Sequence, residues 1–194
     1  MAMRRRQIVM LVPASVSVSG LAMLAAAGAR AQGSTPPGPP GEVAAEISGA
    51  RLQGAGTLRF LGLRVYDARL WVGPAAMGPD WTVAPLALEL DYARSLDGAK
   101  IAERSLSEMR RQGDMAADAA DSWLAAMKLL FPDVKAGDRL TGLNVPGLGV
   151  RFFVNGRFKG DLRDTTFARY FFGIWLSPKT SEPALRDSLL GKAP

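Results

Sequence analysis

Residues 86–92 read Leu-Ala-Leu-Glu-Leu-Asp-Tyr, and they set the fold class of the chain. Leu86, Leu88, Leu90 and Tyr92 alternate with Ala87, Glu89, Asp91 and Ala93, a period of two that predicts a strand with one buried face. Upstream, Arg51–Phe60 and Leu63–Val72 are extended candidates, the second with an apolar row at Tyr66, Ala68, Leu70 and Val72.

Downstream the period changes. Asp97 offers an N-cap, and Ala99, Ala102, Leu106 and Met109 recur at helical spacing until Gly113. Ala116, Ala119, Ala120, Trp123, Leu124, Met127, Leu130 and Phe131 make a second apolar stripe, which Pro132 ends. Strand patterning returns at Arg139–Val145, turns at Pro146-Gly147, and runs through Leu148, Val150, Phe152 and Val154 to Asn155-Gly156. Asn-Gly between apolar runs predicts a hairpin, because both central positions of a type I′ turn need positive φ. Phe158 and Leu162 lie on the return strand, and Phe167, Phe171, Ile174 and Trp175 share a helical stripe. Ser181 is the expected N-cap of a last helix that Gly191 stops. Segregated strands and helices, without βαβ alternation, predict an α+β fold with helices over one face of an antiparallel sheet.

Composition narrows the chemistry. The 194 residues include no cysteine and no histidine, which excludes a thiolate nucleophile, a disulfide, a Ser-His-Asp triad and ordinary zinc or haem sites. No metal and no cofactor is expected. The formal charge of +6 is concentrated at the start, where residues 1–31 hold Arg4, Arg5, Arg6 and Arg30 and no acid. The rest carries 20 basic and 18 acidic groups, a net of +2, too balanced for a nucleic-acid partner.

That N-terminal stretch reads as a leader. A basic segment, Met1–Gln7, precedes an apolar one, Ile8–Ala27, and Ala29-Arg30-Ala31 has the A-x-A form of a cleavage site. Residues 1–31 are therefore expected to be a signal peptide, with export to a periplasm, a mature start at Gln32 and no stable membrane anchor after cleavage. A Pro/Gly-rich tether spans 32–41, and the folded domain is expected over 42–194.

A few residues stand out from this scaffold. Gly54-Ala55-Gly56 lacks the third glycine of a phosphate loop and reads instead as an easing of a strand for a close backbone approach. Phe167, Tyr170, Phe171, Phe172 and Trp175 could line a pocket, but their shared helical stripe favours a helix core. Arg94 continues the register of Tyr92: either the strand runs on and the guanidinium meets an anion on the apolar side, or the strand ends at Ala93 and the side chain reaches solvent. Arg64 shares the register of Tyr66 in the same way.

The runs GAGTLRFLGLRVYDARLWV (Gly54–Val72), LELDYARSLDGAKIAERSLSEM (Leu88–Met109), FPDVKAGDRLTG (Phe131–Gly142), RFFVNGR (Arg151–Arg157) and FARYFFGIWLSPKTSEPALRDSLLG (Phe167–Gly191) resemble the bacterial chalcone-isomerase-like proteins. The resemblance implies an open-faced sandwich, a large antiparallel sheet with helices packed over it and a cleft between the layers. The plant enzymes of this fold use an arginine after the GAG turn, a threonine on the next strand, and a tyrosine, lysine and asparagine along the first helix. On that pattern Leu58 falls at the arginine, Tyr66 at the threonine, Ile101 at the tyrosine, Arg104 at the lysine and Glu108 at the asparagine. Isoleucine cannot relay a proton, so most of the catalytic set is missing. Arg59, next to Leu58, would share the face of Tyr66 only through a one-residue bulge.

Other relatives with this fold bind fatty acids, holding the carboxylate with an arginine and a tyrosine. Arg94 resembles that arginine, with Tyr66 or Tyr92 as the partner. Three readings follow. The first is an exported binder of a small hydrophobic carboxylic acid, through Arg94, Tyr66, Arg64, Tyr92, Ile101 and Glu108. The second is an isomerase of the intramolecular lyase type, using Arg59, Tyr66 and Arg104. The third is a non-catalytic accessory protein with a blocked cleft.

Overall fold

The computed structural model describes residues 38–192, apart from Ala76 and Pro79. The leader and all but the last four residues of the tether read from the sequence lie outside the described residues.

Six strands form one antiparallel sheet in the order β1 (Arg51–Phe60), β2 (Leu63–Val72), β3 (Leu86–Tyr92), β4 (Arg139–Val145), β5 (Gly149–Val154) and β6 (Arg157–Leu162). Each strand pairs with its successor in the chain. The apolar row of β3 lies in register with that of β2, Tyr92 opposite Tyr66 and Leu88 opposite Leu70, so the even positions build one continuous apolar face.

Helices α2 (Gly98–Arg110), α3 (Ala117–Leu130), α4 (Thr165–Leu176) and α5 (Pro183–Leu189) cover that face. Asp97 caps α2 by accepting from Lys100 N at 3.0 Å, and Asp164 caps α4 by accepting from Thr166 N and Phe167 N. The α4 stripe enters the core directly, with Phe171 edge-on to Phe152 at 5.3 Å and stacked on Phe167 at 5.4 Å. The Gly-Ala-Gly of β1 admits the last helix. A Cβ on Gly54 would lie 2.2 Å from Ser188 O, and one on Gly56 would lie 2.7 Å from Leu185 Cδ1.

One expectation changes. The last helix begins at Pro183 with Glu182 at its N-cap, not at Ser181, because proline at the first turn fixes φ and has no N–H to cap. Its end agrees with the reading: Gly191, at φ 68, lets Lys192 N reach Asp187 O and Gly191 N reach Ser188 O, a Schellman closure.

The reverse face of the sheet carries a short helix that the sequence did not disclose, α1 (Gly41–Glu46). Val43 and Ile47 pack there with Trp71, Ala87, Leu143 and Phe153. Glu42 is buried, receiving Arg139 Nη2 at 2.8 and 3.0 Å and Thr141 Oγ1 at 2.9 Å. Glu89 is buried beside it in the sheet, accepting from Trp71 Nε1 at 2.7 Å and Arg69 Nη1 at 3.0 Å. Each of these buried carboxylates therefore has charged and neutral donors.

Candidate functional site

Between the apolar face of the sheet and helices α2 and α4 lies a cavity of about 370 Å³. Leu88, Leu90 and Leu140 form its floor, and Ile101, Phe171 and Ile174 form its roof. Gly142 also lines it; a Cβ there would stand 3.0 Å from Phe171 Cε1, so the missing side chain lets the ring settle onto the sheet. The volume falls in the range of small-molecule sites, about 300–1,000 Å³.

Two phenols face this space. Tyr66 and Tyr92 are cross-strand neighbours with ring centroids 5.7 Å apart, edge to face. Trp175 Nε1 donates to Tyr66 Oη at 3.0 Å. Burial pushes the Tyr66 phenol well above its ordinary value of 10; the Trp175 bond opposes this, Glu182 and Glu108 add to it, and Arg104 opposes it. Burial likewise raises Tyr92, with a smaller contribution from Tyr66. Both are therefore neutral O–H donors at physiological pH. Among the described residues neither hydroxyl donates its proton to a protein acceptor.

The mouth is cationic. Arg59, Arg94, Lys100 and Arg104 line it, together with Asp97 and Glu182. Arg104 is held by Glu108, Nη2 to Oε1 at 2.6 Å, and the buried Glu108 carboxylate also lies 3.5 Å from Arg111 Nε. Asp97 is engaged as the α2 cap. Strand β3 ends at Tyr92, and Ala93 N donates to Val65 O at 2.9 Å, so the second alternative for Arg94 describes the backbone. The Arg94 side chain is exposed at the mouth, with no hydrogen bond or ion pair among the described residues.

Arg59, Tyr66, Tyr92, Arg94, Ile101, Arg104 and Glu108 thus come together around one cavity. Arg64 does not. The pairing of β1 with β2 shifts between Leu58 opposite Tyr66 and Arg59 opposite Arg64, passing over Val65. The extra residue lies on β2, where it brings Val65 to the mouth and turns Arg64 toward Asp67, to which it is bonded; Arg59, opposite Arg64 on β1, also lines the mouth although its own strand has no extra residue at that point. The strict alternation behind the Arg64 expectation fails at Val65.

Lys100 escaped notice although it lies one turn before Arg104 on α2, a spacing that places both on one face. Trp175 meets both alternatives for its aromatic group, since it is buried in the core and also walls the cavity. Ser181 and Glu182 reach the mouth from a connecting segment with no periodic signal. Among the described residues no group of three or more Asp or Glu could hold a metal ion.

A sequential six-stranded sheet roofed by helices, with an apolar cavity between the layers, defines the chalcone isomerase fold. The sequence pattern of the chalcone isomerase-like family matches residues 40–191, and the chain belongs to that family. It is 32% identical over 112 residues to an uncharacterised protein of Haemophilus influenzae, an alignment covering 56% of this chain and 52% of the relative. The match thus spans about half the length of that relative. The structure is also similar to a fatty-acid binding protein of Arabidopsis thaliana, with a TM-score of 0.60 at 12% identity, over 74% of this chain and 87% of that one. At that identity the likeness is one of fold.

Proposed function

We propose that this protein binds a small hydrophobic carboxylic acid, with the chain in the apolar cavity and the carboxylate at Arg94. The observation that carries the reading is an apolar cavity whose mouth holds a guanidinium, that of Arg94, with no counter-ion among the described residues. A guanidinium offers a carboxylate two parallel hydrogen bonds, and the neutral phenols of Tyr66 and Tyr92 are further donors that need no deprotonation. Glu108 and Glu182 repel an anionic head group, which favours the Arg94 side of the mouth. The Arabidopsis protein of the same fold is a binder of fatty acids.

Cyclisation chemistry is less well supported. Ile101 has nothing to donate, Arg104 is engaged by Glu108, and burial raises rather than lowers both phenols. The cavity is also open rather than filled by side chains, which weighs against a blocked accessory role. Export rests on the leader-like residues 1–31, and N-terminal sequencing of the exported protein should find Gln32 first.

Calorimetry with a medium-chain fatty acid and its methyl ester tests the ligand. The acid should bind and the ester should bind poorly. Arg94→Ala should weaken acid binding roughly 10-fold, about 1.4 kcal/mol, at the modest end for a charged hydrogen bond because the site is open to solvent. Equal affinity for acid and ester, or no effect of the substitution, overturns the reading.

A further inference from the structure

Two hairpins of this sheet turn through matching backbone conformations. In the β5–β6 turn Asn155 and Gly156 have φ of 50° and 79°, and in the β1–β2 turn Leu61 and Gly62 also have φ of 50° and 79°. Asparagine suits the first position, since its short polar side chain tolerates the left-handed region, and Asn155 Nδ2 is used by Asp138. Leucine suits it poorly and gains no burial in return: Leu61 is 85% exposed, with Phe60 at 62% and Leu63 at 55% beside it. The fold therefore supplies no reason for an apolar tip at this turn.

The surroundings of the tip supply one. Phe60 and Arg59 belong to the mouth of the cavity, so the exposed apolar surface runs into the apolar interior. Arg59 and Lys100 stand on the same rim, exposed and outside any ion pair among the described residues, while Asp97 is occupied as a helix cap and Arg64 by Asp67. No described helix is long and apolar enough to cross a membrane, so a bilayer contact by these residues is interfacial.

We propose that the β1–β2 turn docks on an anionic phospholipid surface, with Phe60, Leu61 and Leu63 at the headgroup–acyl boundary and Arg59 and Lys100 on the phosphates. In that pose the mouth opens onto lipid, and an amphipathic molecule passes between bilayer and cavity without crossing water. The proposal goes beyond the ligand reading and stands separately from it: it predicts membrane contact by this turn whatever the cavity holds.

The absence of cysteine from the chain makes the test site-specific. Leu61→Cys, carrying an environment-sensitive fluorophore, should shift to the blue and become protected from aqueous iodide on equimolar phosphatidylglycerol–phosphatidylcholine vesicles. The same label at Leu129→Cys, on an exposed α3 position outside the rim, should stay in water. Because the readout is local to residue 61, attachment of the full chain through its apolar residues 8–27 does not imitate it. Arg59→Gln should weaken the response roughly 5-fold, as expected for one cation at an anionic surface. Adding Phe60→Ser and Leu63→Ser should abolish it, with circular dichroism confirming the fold. An unshifted label at 61, equal shifts at 61 and 129, or an equal response on pure phosphatidylcholine overturns the proposal. Loss of fatty-acid binding in calorimetry with a protected residue 61 would overturn only the ligand reading.

Discussion

Trp175 Nε1 donates to Tyr66 Oη at 3.0 Å, a bond from α4 to β2 that crosses the cavity wall. It joins the roof to the floor beside the mouth and leaves the Tyr66 proton free for a ligand. Tyr66→Phe should lower stability by about 1 kcal/mol, the usual net worth of such a bond. It should also weaken acid binding roughly 5-fold if that proton meets the carboxylate. Trp175→Phe should lower stability by more, since it also removes buried ring area, while keeping the Tyr66 donor. Urea midpoints and calorimetry on the two variants separate the structural from the binding contribution.

The raised phenols give a signed dependence on pH. Above their ordinary value of 10, the unfolded chain releases protons from Tyr66 and Tyr92 that the folded chain retains. Protons bound are then fewer in the unfolded state, so stability falls as pH rises past about 10, by at most about 1.4 kcal/mol per pH unit for each residue. Ultraviolet titration should show the tyrosinate absorbance of these two residues appearing together with loss of near-ultraviolet dichroism. Ionisation near pH 10 in a folded protein would contradict the desolvated environment.

Gly54 should be intolerant of a methyl group. A Cβ would meet Ser188 O at 2.2 Å and Leu189 O at 2.5 Å, both backbone atoms of α5 that cannot rotate away. Gly54→Ala should cost about 1–3 kcal/mol as α5 lifts from β1. Gly41→Ala, with nothing within 4 Å, should be neutral or stabilising in the first turn of α1. Denaturant midpoints of the pair give the comparison.

The ion pair from α1 to the reverse face should be measurable. Glu42→Ala removes the acceptor of Arg139 and Thr141 and should cost about 2 kcal/mol, tempered by partial exposure of the Arg139 side chain. Hydrogen exchange should rise at Val43 and Ile47 and leave the cavity face unchanged.

Much of this fold is legible because its local signals agree with one another. The alternation of residues 86–92, the Asp97 cap and the Asn155-Gly156 turn each specify geometry within a few residues, and each is realised. The candidate site was legible where strand period put Tyr66 and Tyr92 in the apolar rows, and where the family resemblance pointed to Ile101 and Arg104 on the first long helix. It was not legible where one extra residue changes parity: the bulge at Val65 sends Arg64 to the face opposite the one a regular strand assigns. Nor does any pattern within six residues announce α1, whose burial depends on Arg139, Thr141 and Trp71, all distant in sequence. Glu89 looked like a polar outer residue for the same reason; only the folded sheet brings Trp71 and Arg69 to its carboxylate.

The contact of α5 with the glycines of β1 also bears on the order in which the molecule comes into being. Every strand after the first pairs with its predecessor, so β1–β2 and β4–β5–β6 can form as hairpins with short turns, while β3 and β4 meet only after the segment carrying α2 and α3 closes. The seating of Leu185 and Ser188 against Gly54 and Gly56 is different, for it unites the first strand with the last helix. Phe171, Ile174, Trp175 and Glu182, all late in the chain, complete the cavity walls. A ribosome-bound or truncated chain that stops before Thr165 therefore contains the sequence of all six strands but lacks the residues that enclose the cavity.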